Sequence, residues 1–285
     1  MPGREPPPTA TTAFQPMRPT GILGTAFRLY RRHWRTLLAI IALGAPLAVS
    51  FPSTNVLPGP GSEYQIILHH RVVATGGSWA DTVVVALAAV VALLGIAVVA
   101  GALTTAAVAA ASGQDPGVRR SYRFGIGRVW PLLLVLLTTW LLITLGALLL
   151  IVPGVIVGVL LSVSLPALVA EGGRARQALG RSVDLVGGQW WHTFGTVVLT
   201  WVLIGLVVAL VDTAVGSLGH GWLAETLAQA LSITLVTPFA ALVGVLLYLD
   251  LGARRGSRDA TVPDRDPRAP GPSRPGAPAR RPRCR

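Results

Sequence analysis

Six long apolar stretches divide the chain, at about 36–51, 81–111, 130–152, 155–170, 191–211 and 223–249. A helix of about 20 apolar residues crosses the hydrocarbon core of a bilayer. Each stretch therefore predicts a spanning helix, the first and fourth being short. The second is longer than the core, so it must tilt or project. Pro153-Gly154 predicts a tight turn between the third and fourth spans, and Pro46 and Pro238 predict kinks.

A different pattern precedes the first, third and fifth stretches. In PTGILGTAFRLYRRHWR, Arg28, Arg31, Arg32 and Arg35 recur at helical spacing on one face, with Leu23, Phe27, Tyr30 and Trp34 on another. Such a helix suits a membrane interface, with rings in the acyl boundary and guanidinium groups among phosphates. RRSYRFGIGRVW repeats the theme, with Arg119, Arg120 and Arg123 set against Tyr122, Ile126 and Val129. So does GRARQALGRSVDLVGGQWW, where Arg174, Gln177, Arg181 and Asp184 oppose Leu179, Val183, Val186 and Trp190. AFRLY, SYRFG and SVDLV echo one another, as do WRTL and WHTF. The expected fold is an all-α integral membrane protein: six transmembrane helices as three hairpins, each preceded by a cytoplasmic-side amphipathic helix. Residues 1–18 are a Pro-rich arm and 253–285 a Pro- and Arg-rich tail, both expected to be disordered around a membrane domain at 19–252. Met17, at the edge of the ordered part, is an alternative start.

Composition agrees with the membrane reading. The chain is 52% apolar and 13% charged, where a soluble domain is about 25% charged, and its mean hydropathy is +0.61. Basic residues outnumber acidic ones 24 to 12, and every one is Arg. Arg71 alone falls between the first and second spans; the rest flank the other ends. The positive-inside rule then puts both termini in the cytoplasm of a bacterial cell with an even number of spans. Trp34, Trp130, Trp190 and Trp191 mark inner span ends, and Trp79 and Trp222 outer ones. Because the arginines border apolar segments, nucleic acid is not the expected partner. Anionic lipid head groups are, together with a protein partner or a second copy of the chain.

Catalytic chemistry is hard to find. His69-His70 lacks a third ligand at metal spacing. Phosphate-loop, GxSxG and HExxH patterns are missing. Ser162 and Ser164 are expected to bond back to helix carbonyls. No metal or cofactor is expected, and Cys284 reads as an incidental thiol. The acids sit at span ends. Asp250 can pair with Arg254 at i+4 and Glu171 with Arg174 at i+3, and with Asp184 they make a candidate inner-face polar cluster.

AFRLYRRHWRTLL, LLIVPGVIVGVLLSVSLPALVAEG, ALGRSVDLVGGQWWHTFG and PFAALVGVLLYLDLGARR resemble the six-helix membrane-domain family named after membrane-anchored glycerophosphoryl diester phosphodiesterases, in its stand-alone actinobacterial type. The resemblance covers about 18–255 and implies the fold and membrane placement. In the naming enzymes hydrolysis resides in a separate barrel of about 250 residues, and no stretch of that length lies outside the six segments. The expected role is therefore a non-enzymatic membrane module engaging anionic phospholipid, the alternative being a transporter or lipid-translocating protein.

Overall fold

The computed structural model describes residues 18–49, 57–58, 64–68, 71–74, 79–217 and 222–261. Nine helices make up most of these residues: α1 (Pro19–Val49), α2 (Trp79–Ala111), α3 (Val118–Gly127), α4 (Val129–Leu149), α5 (Ile151–Leu161), α6 (Ser164–Glu171), α7 (Ala175–Gly187), α8 (Trp190–Gly216) and α9 (Trp222–Thr261). Between α1 and α2 the strands β1 (Leu57–Pro58), β2 (Tyr64–Leu68) and β3 (Arg71–Ala74) form a small antiparallel meander. His69 and His70 lie outside the described residues.

Five stretches are long and apolar enough to cross a membrane: Ala89–Ala111, Val129–Leu149, Ile151–Glu171, Trp190–Gly216 and Leu227–Gly256. That composition is consistent with a multi-pass membrane protein. The chain before Val49 differs from the expected pair of separate helices. The arginine-rich segment and the first apolar stretch are one helix, interrupted at His33 (φ −116°, ψ 20°).

Three further boundaries move. The turn between the third and fourth spans is at Leu150, in extended backbone, and not at Pro153-Gly154. Pro153 occupies the first turn of α5, where its missing N–H removes a donor that has no helical partner. Gly154 is needed for contact: a Cβ there would lie 2.8 Å from the Ala147 nitrogen across the hairpin. The return span is longer than the expected 155–170 chiefly because α5 already starts at Ile151; with α6 it makes a stretch of 21 residues, Ile151–Glu171. At the other end α9 runs to Thr261, past the boundary expected at residue 252; residues 262–285 lie outside the described part.

Packing is uneven along the bundle. The main core joins Ile22, Ala26, Leu37 and Ile40 of α1, Ala102, Leu103, Ala106 and Ala107 of α2, and Leu185 and Val186 of α7 to Leu242, Leu246, Leu247 and Leu251 of α9. These residues lie toward the end that carries α3 and α7. The opposite halves present large exposed side chains: Leu87 and Val91 on α2, Val202, Leu206 and Leu210 on α8, and Leu227 and Leu231 on α9. Only Leu132 and Val135 of α4 and Thr193, Thr196 and Thr200 of α8 are buried, so α4 and α8 are peripheral. An apolar belt open to its surroundings on one tier, with a packed helical layer on the other, is the arrangement hydrocarbon would stabilise.

The length of α2 fits this division. Its 33 residues extend about 50 Å, some 20 Å beyond a hydrocarbon core of about 30 Å. On that surplus sits α3. A Cβ on Gly125 would lie 2.6 Å from the Val98 oxygen and 3.4 Å from the Ala102 nitrogen, and one on Gly101 would lie 3.4 Å from Gly125 Cα. So α3 folds back along the last turns of α2. Likewise α7 folds back toward the preceding pair, with the Ser182 hydroxyl donating to the Leu160 carbonyl at 2.7 Å.

Candidate functional site at the arginine-bearing end

The three sequence echoes share one contact pattern. Aligning AFRLY, SYRFG and SVDLV sets Ala26, Ser121 and Ser182 at the first position, and all three are buried. The third position holds Arg28, Arg123 and Asp184, all exposed. Between them lie Phe27 and Val183, exposed, and Tyr122, half-buried. Eight or nine residues after the first position stand Trp34, Trp130 and Trp191, exposed by 47%, 72% and 78%. Each unit therefore seats a small residue against the protein, turns an apolar or aromatic side chain to its flank, and holds a polar group outward.

On α1 the buried face is neither of the two expected ones. Ile22, Ala26 and Leu37 dock on the core, Phe27 and Trp34 lie beside them, and Arg28, Arg31, Arg32 and Arg35 are exposed beyond. Arg28 donates to the Thr25 hydroxyl at 3.0 Å, and the Arg35 guanidinium carbon lies 5.5 Å from the Trp34 ring. Arg119, Arg120 and Arg123 on α3 and Arg174 before α7 are also exposed. Trp190 is half-buried, stacked on Phe194 at 5.0 Å and edge-on to Trp191 at 4.8 Å.

The expected inner-face cluster resolves into two separate sets. In one, Asp250 is fully buried and accepts from Arg254 Nε at 2.7 Å, the i+4 pair expected from the sequence. His192 Nε2 approaches the same carboxylate oxygen at 3.0 Å. That approach is an electrostatic contact off the N–H direction, since Nε2 makes no hydrogen bond. In the other set Glu171 pairs with Arg181 at 3.0 Å, and not with Arg174. Gly172, at φ +64°, ends α6 in the left-handed region and reverses the chain, which carries Arg174 away and brings Arg181 back. Arg174 instead begins α7, its backbone N–H donating to Gln177 Oε1 at 3.0 Å. The Tyr248 hydroxyl donates to Glu171 Oε1 at 2.9 Å and ties the pair to α9. Asp184, exposed on α7, belongs to neither set.

Sequence reasoning missed three anchors. Arg128 is half-buried, lies 5.6 Å from the Phe124 ring and donates to the Gly172 carbonyl, linking the α3–α4 joint to the α6–α7 joint. Tyr122 donates to the Ile40 carbonyl of α1, so α3 is fixed to two helices. Burial raises the pKa of Tyr122, and of Tyr30, above the usual 10. His192 is the third. Ser162 and Ser164 do bond back, to Val159 and Leu161 carbonyls at 2.8 and 2.7 Å. Among the described residues no group of three or more His, Cys, Asp or Glu could hold a metal ion.

The chemistry available is thus electrostatic. Exposed guanidinium groups on α1, on α3 and at the start of α7 rim this end, an exposed tryptophan follows each unit, and Glu171 and Asp250 are engaged in ion pairs. No family model, curated protein or solved structure matches the chain.

Proposed function

We propose that this protein is a non-enzymatic, six-span protein of the bacterial cytoplasmic membrane that engages anionic phospholipid head groups and a protein partner at its cytoplasmic face. The observation that carries the reading is the shared contact pattern of the three echoes, which leaves Arg28 and Arg123 outward and a tryptophan exposed below each unit. Arg presents a planar fork to phosphate oxygens, and each Arg near an anionic surface contributes about 1 kcal/mol. The second half of α1 supplies the sixth span, with both termini cytoplasmic, which the placement of arginine supports. The likeness to the six-helix membrane-domain family supports the same fold, and the catalytic activity of its naming enzymes is not part of the proposal.

The test is lipid selectivity. Wild type and a variant with Arg28, Arg31, Arg32 and Arg35 all changed to Gln are purified from a defined mixture of phosphatidylglycerol and phosphatidylcholine, and retained lipids are counted by native mass spectrometry. Wild type should enrich the anionic lipid and the variant should lose most of that enrichment. Equal retention in both would remove the basis of the reading.

A transporter or lipid-translocating role is the second reading. Thr193 and Ser232 favour it, being buried hydroxyls without a hydrogen-bond partner inside apolar spans. Thr196 and Thr200 weaken it, because both donate to carbonyls of their own helix. Passage of a labelled lipid across reconstituted vesicles separates the two readings.

A further inference from the structure

We propose that the apex of the α4–α5 hairpin never meets water and is embedded among the acyl chains of the leaflet opposite the arginine rim. The sequence around the turn is the first reason. Residues 145–161 contain no polar side chain, so the nearest ones are Thr144 and Ser162. The second is exposure: Leu148, Leu149, Leu150, Ile151 and Val152 are each at least 64% exposed, five large apolar side chains in unbroken succession at a helix turn. A connection that emerged into water would leave all five facing solvent, which apolar side chains disfavour in proportion to their exposed area.

The backbone keeps the number of unpaired polar groups at the turn small. A turn in hydrocarbon must satisfy its own polar groups. Here the whole connection is one residue; the Leu150 N–H donates to the Gly146 carbonyl, and the Leu150 carbonyl accepts from Gly154. Pro153 removes another donor from the first turn of α5. Gly146 faces Gly154 so closely that a Cβ on Gly146 would lie 3.0 Å from the Gly154 Cα and nitrogen, which closes the turn sterically.

A comparison with α8 sets the depth. Counting from the exposed Trp191, α8 reaches the exposed Asp212 after 21 residues, where a charge can enter the far interface. The same count from the exposed Trp130 ends at Ile151, at the apex itself. The apex is continuous with the exposed apolar belt of α4 and carries no charge, so acyl chains are the occupant that matches it.

The test places a nitroxide label at Leu150→Cys, in a Cys284→Ser background, in the full chain reconstituted into phospholipid vesicles. Collision rates with molecular oxygen and with a water-soluble nickel chelate are then measured, with Gln114→Cys, exposed in the connection between α2 and α3, as the aqueous reference. An embedded apex gives high oxygen and low nickel accessibility, at least fivefold below the reference. Nickel accessibility equal to the reference places the apex in water and overturns the proposal. Low accessibility to both reagents means that protein covers the apex, a partner or a second copy, and overturns it equally. Val152→Cys, one turn position away, repeats the reading should the first label disturb folding.

Discussion

Gly125 offers a quantitative test of how α3 is seated. An alanine there puts a Cβ 2.6 Å from the Val98 carbonyl oxygen, a backbone atom that cannot rotate aside. Restoring an ordinary contact of about 3.4 Å requires α3 to retreat about 0.8 Å, and a gap of that size forfeits a quarter to a half of each dispersion contact across it. Overpacking of this kind costs about 1–3 kcal/mol, and a backbone obstacle places it near the top of that range. Alanine returns about 1 kcal/mol through its helix preference. The net loss is about 2 kcal/mol. Gly180, inside α7, has nothing within 4 Å of its virtual Cβ, so the same substitution there gains up to about 1 kcal/mol. At about 2–4 °C per kcal/mol for a chain of this size, Gly125→Ala should lower the apparent Tm by about 4–8 °C while Gly180→Ala raises it by about 2–4 °C. Tryptophan fluorescence of detergent-purified protein reads both. If Gly125→Ala is as stable as wild type, α3 does not lie against α2, and the height of Arg119, Arg120 and Arg123 is set by something else.

Two further substitutions probe the polar anchors. Tyr122→Phe removes the donor to the Ile40 carbonyl and should cost about 1 kcal/mol. Because burial raises the Tyr122 pKa, the folded state holds that proton more tightly than the unfolded one; this stability is complete below pH ~10 and is lost as pH rises through the folded pKa. The apparent Tm of wild type should therefore fall above pH ~10 more steeply than that of Tyr122→Phe, and parallel curves would sink the argument. Asp250→Ala takes a fully buried carboxylate from beside Arg254 and His192 and should cost about 3–5 kcal/mol, most of it recovered when Asp250 and Arg254 are both replaced by Leu. Arg181→Ala, breaking a pair about 40% exposed on both sides, should cost under about 1 kcal/mol. Comparable losses from Asp250→Ala and Arg181→Ala in thermal unfolding would contradict the difference in burial.

The spans were legible because an apolar run of helical length has few other uses, and α2, α4, α8 and α9 fall where continuity places them. Local rules worked inside helices: Asp250 and Arg254 share one turn of α9, and their i+4 pairing followed. They failed where a helix ends. The i+3 rule assigned Arg174 to Glu171, but α6 stops at Glu171, and the left-handed Gly172 sends the chain back so that a residue ten positions on becomes the partner. Pro153-Gly154 carries a turn signal, yet proline is equally at home in the first turn of a helix, and only the approach of Ala147 to Gly154 shows which use applies. His192 and Tyr248 were hidden by their apolar neighbours, since nothing local marks a ring whose polar atom meets an acid on another helix.

Hydrophobicity also cannot say what an apolar face will meet, and this explains the largest departure. Read alone, Leu23, Phe27, Tyr30 and Trp34 form the apolar side of a helix lying flat on a membrane. In the fold the small residues Ala26, Ser121 and Ser182 are buried against protein, joined by Ile22 on α1 and by Leu185 and Val186 on α7, while Phe27 and Trp34 are displaced to the edge. Small residues permit close approach of backbones, so they, more than the arginines, decide where each short helix docks. The same point accounts for the length of α2. Its last turns are as apolar as its first, which from sequence leaves tilt in the bilayer and projection beyond it equally open. Ala102, Ala106 and Ala107 are buried against protein, and Gly101 faces Gly125 of α3, which favours projection. An alanine- and glycine-rich apolar run at the arginine-bearing end marks helix packing, and a leucine- and valine-rich run at the other end marks the belt. That contrast in side-chain size was present in the sequence and carries information that total apolarity discards.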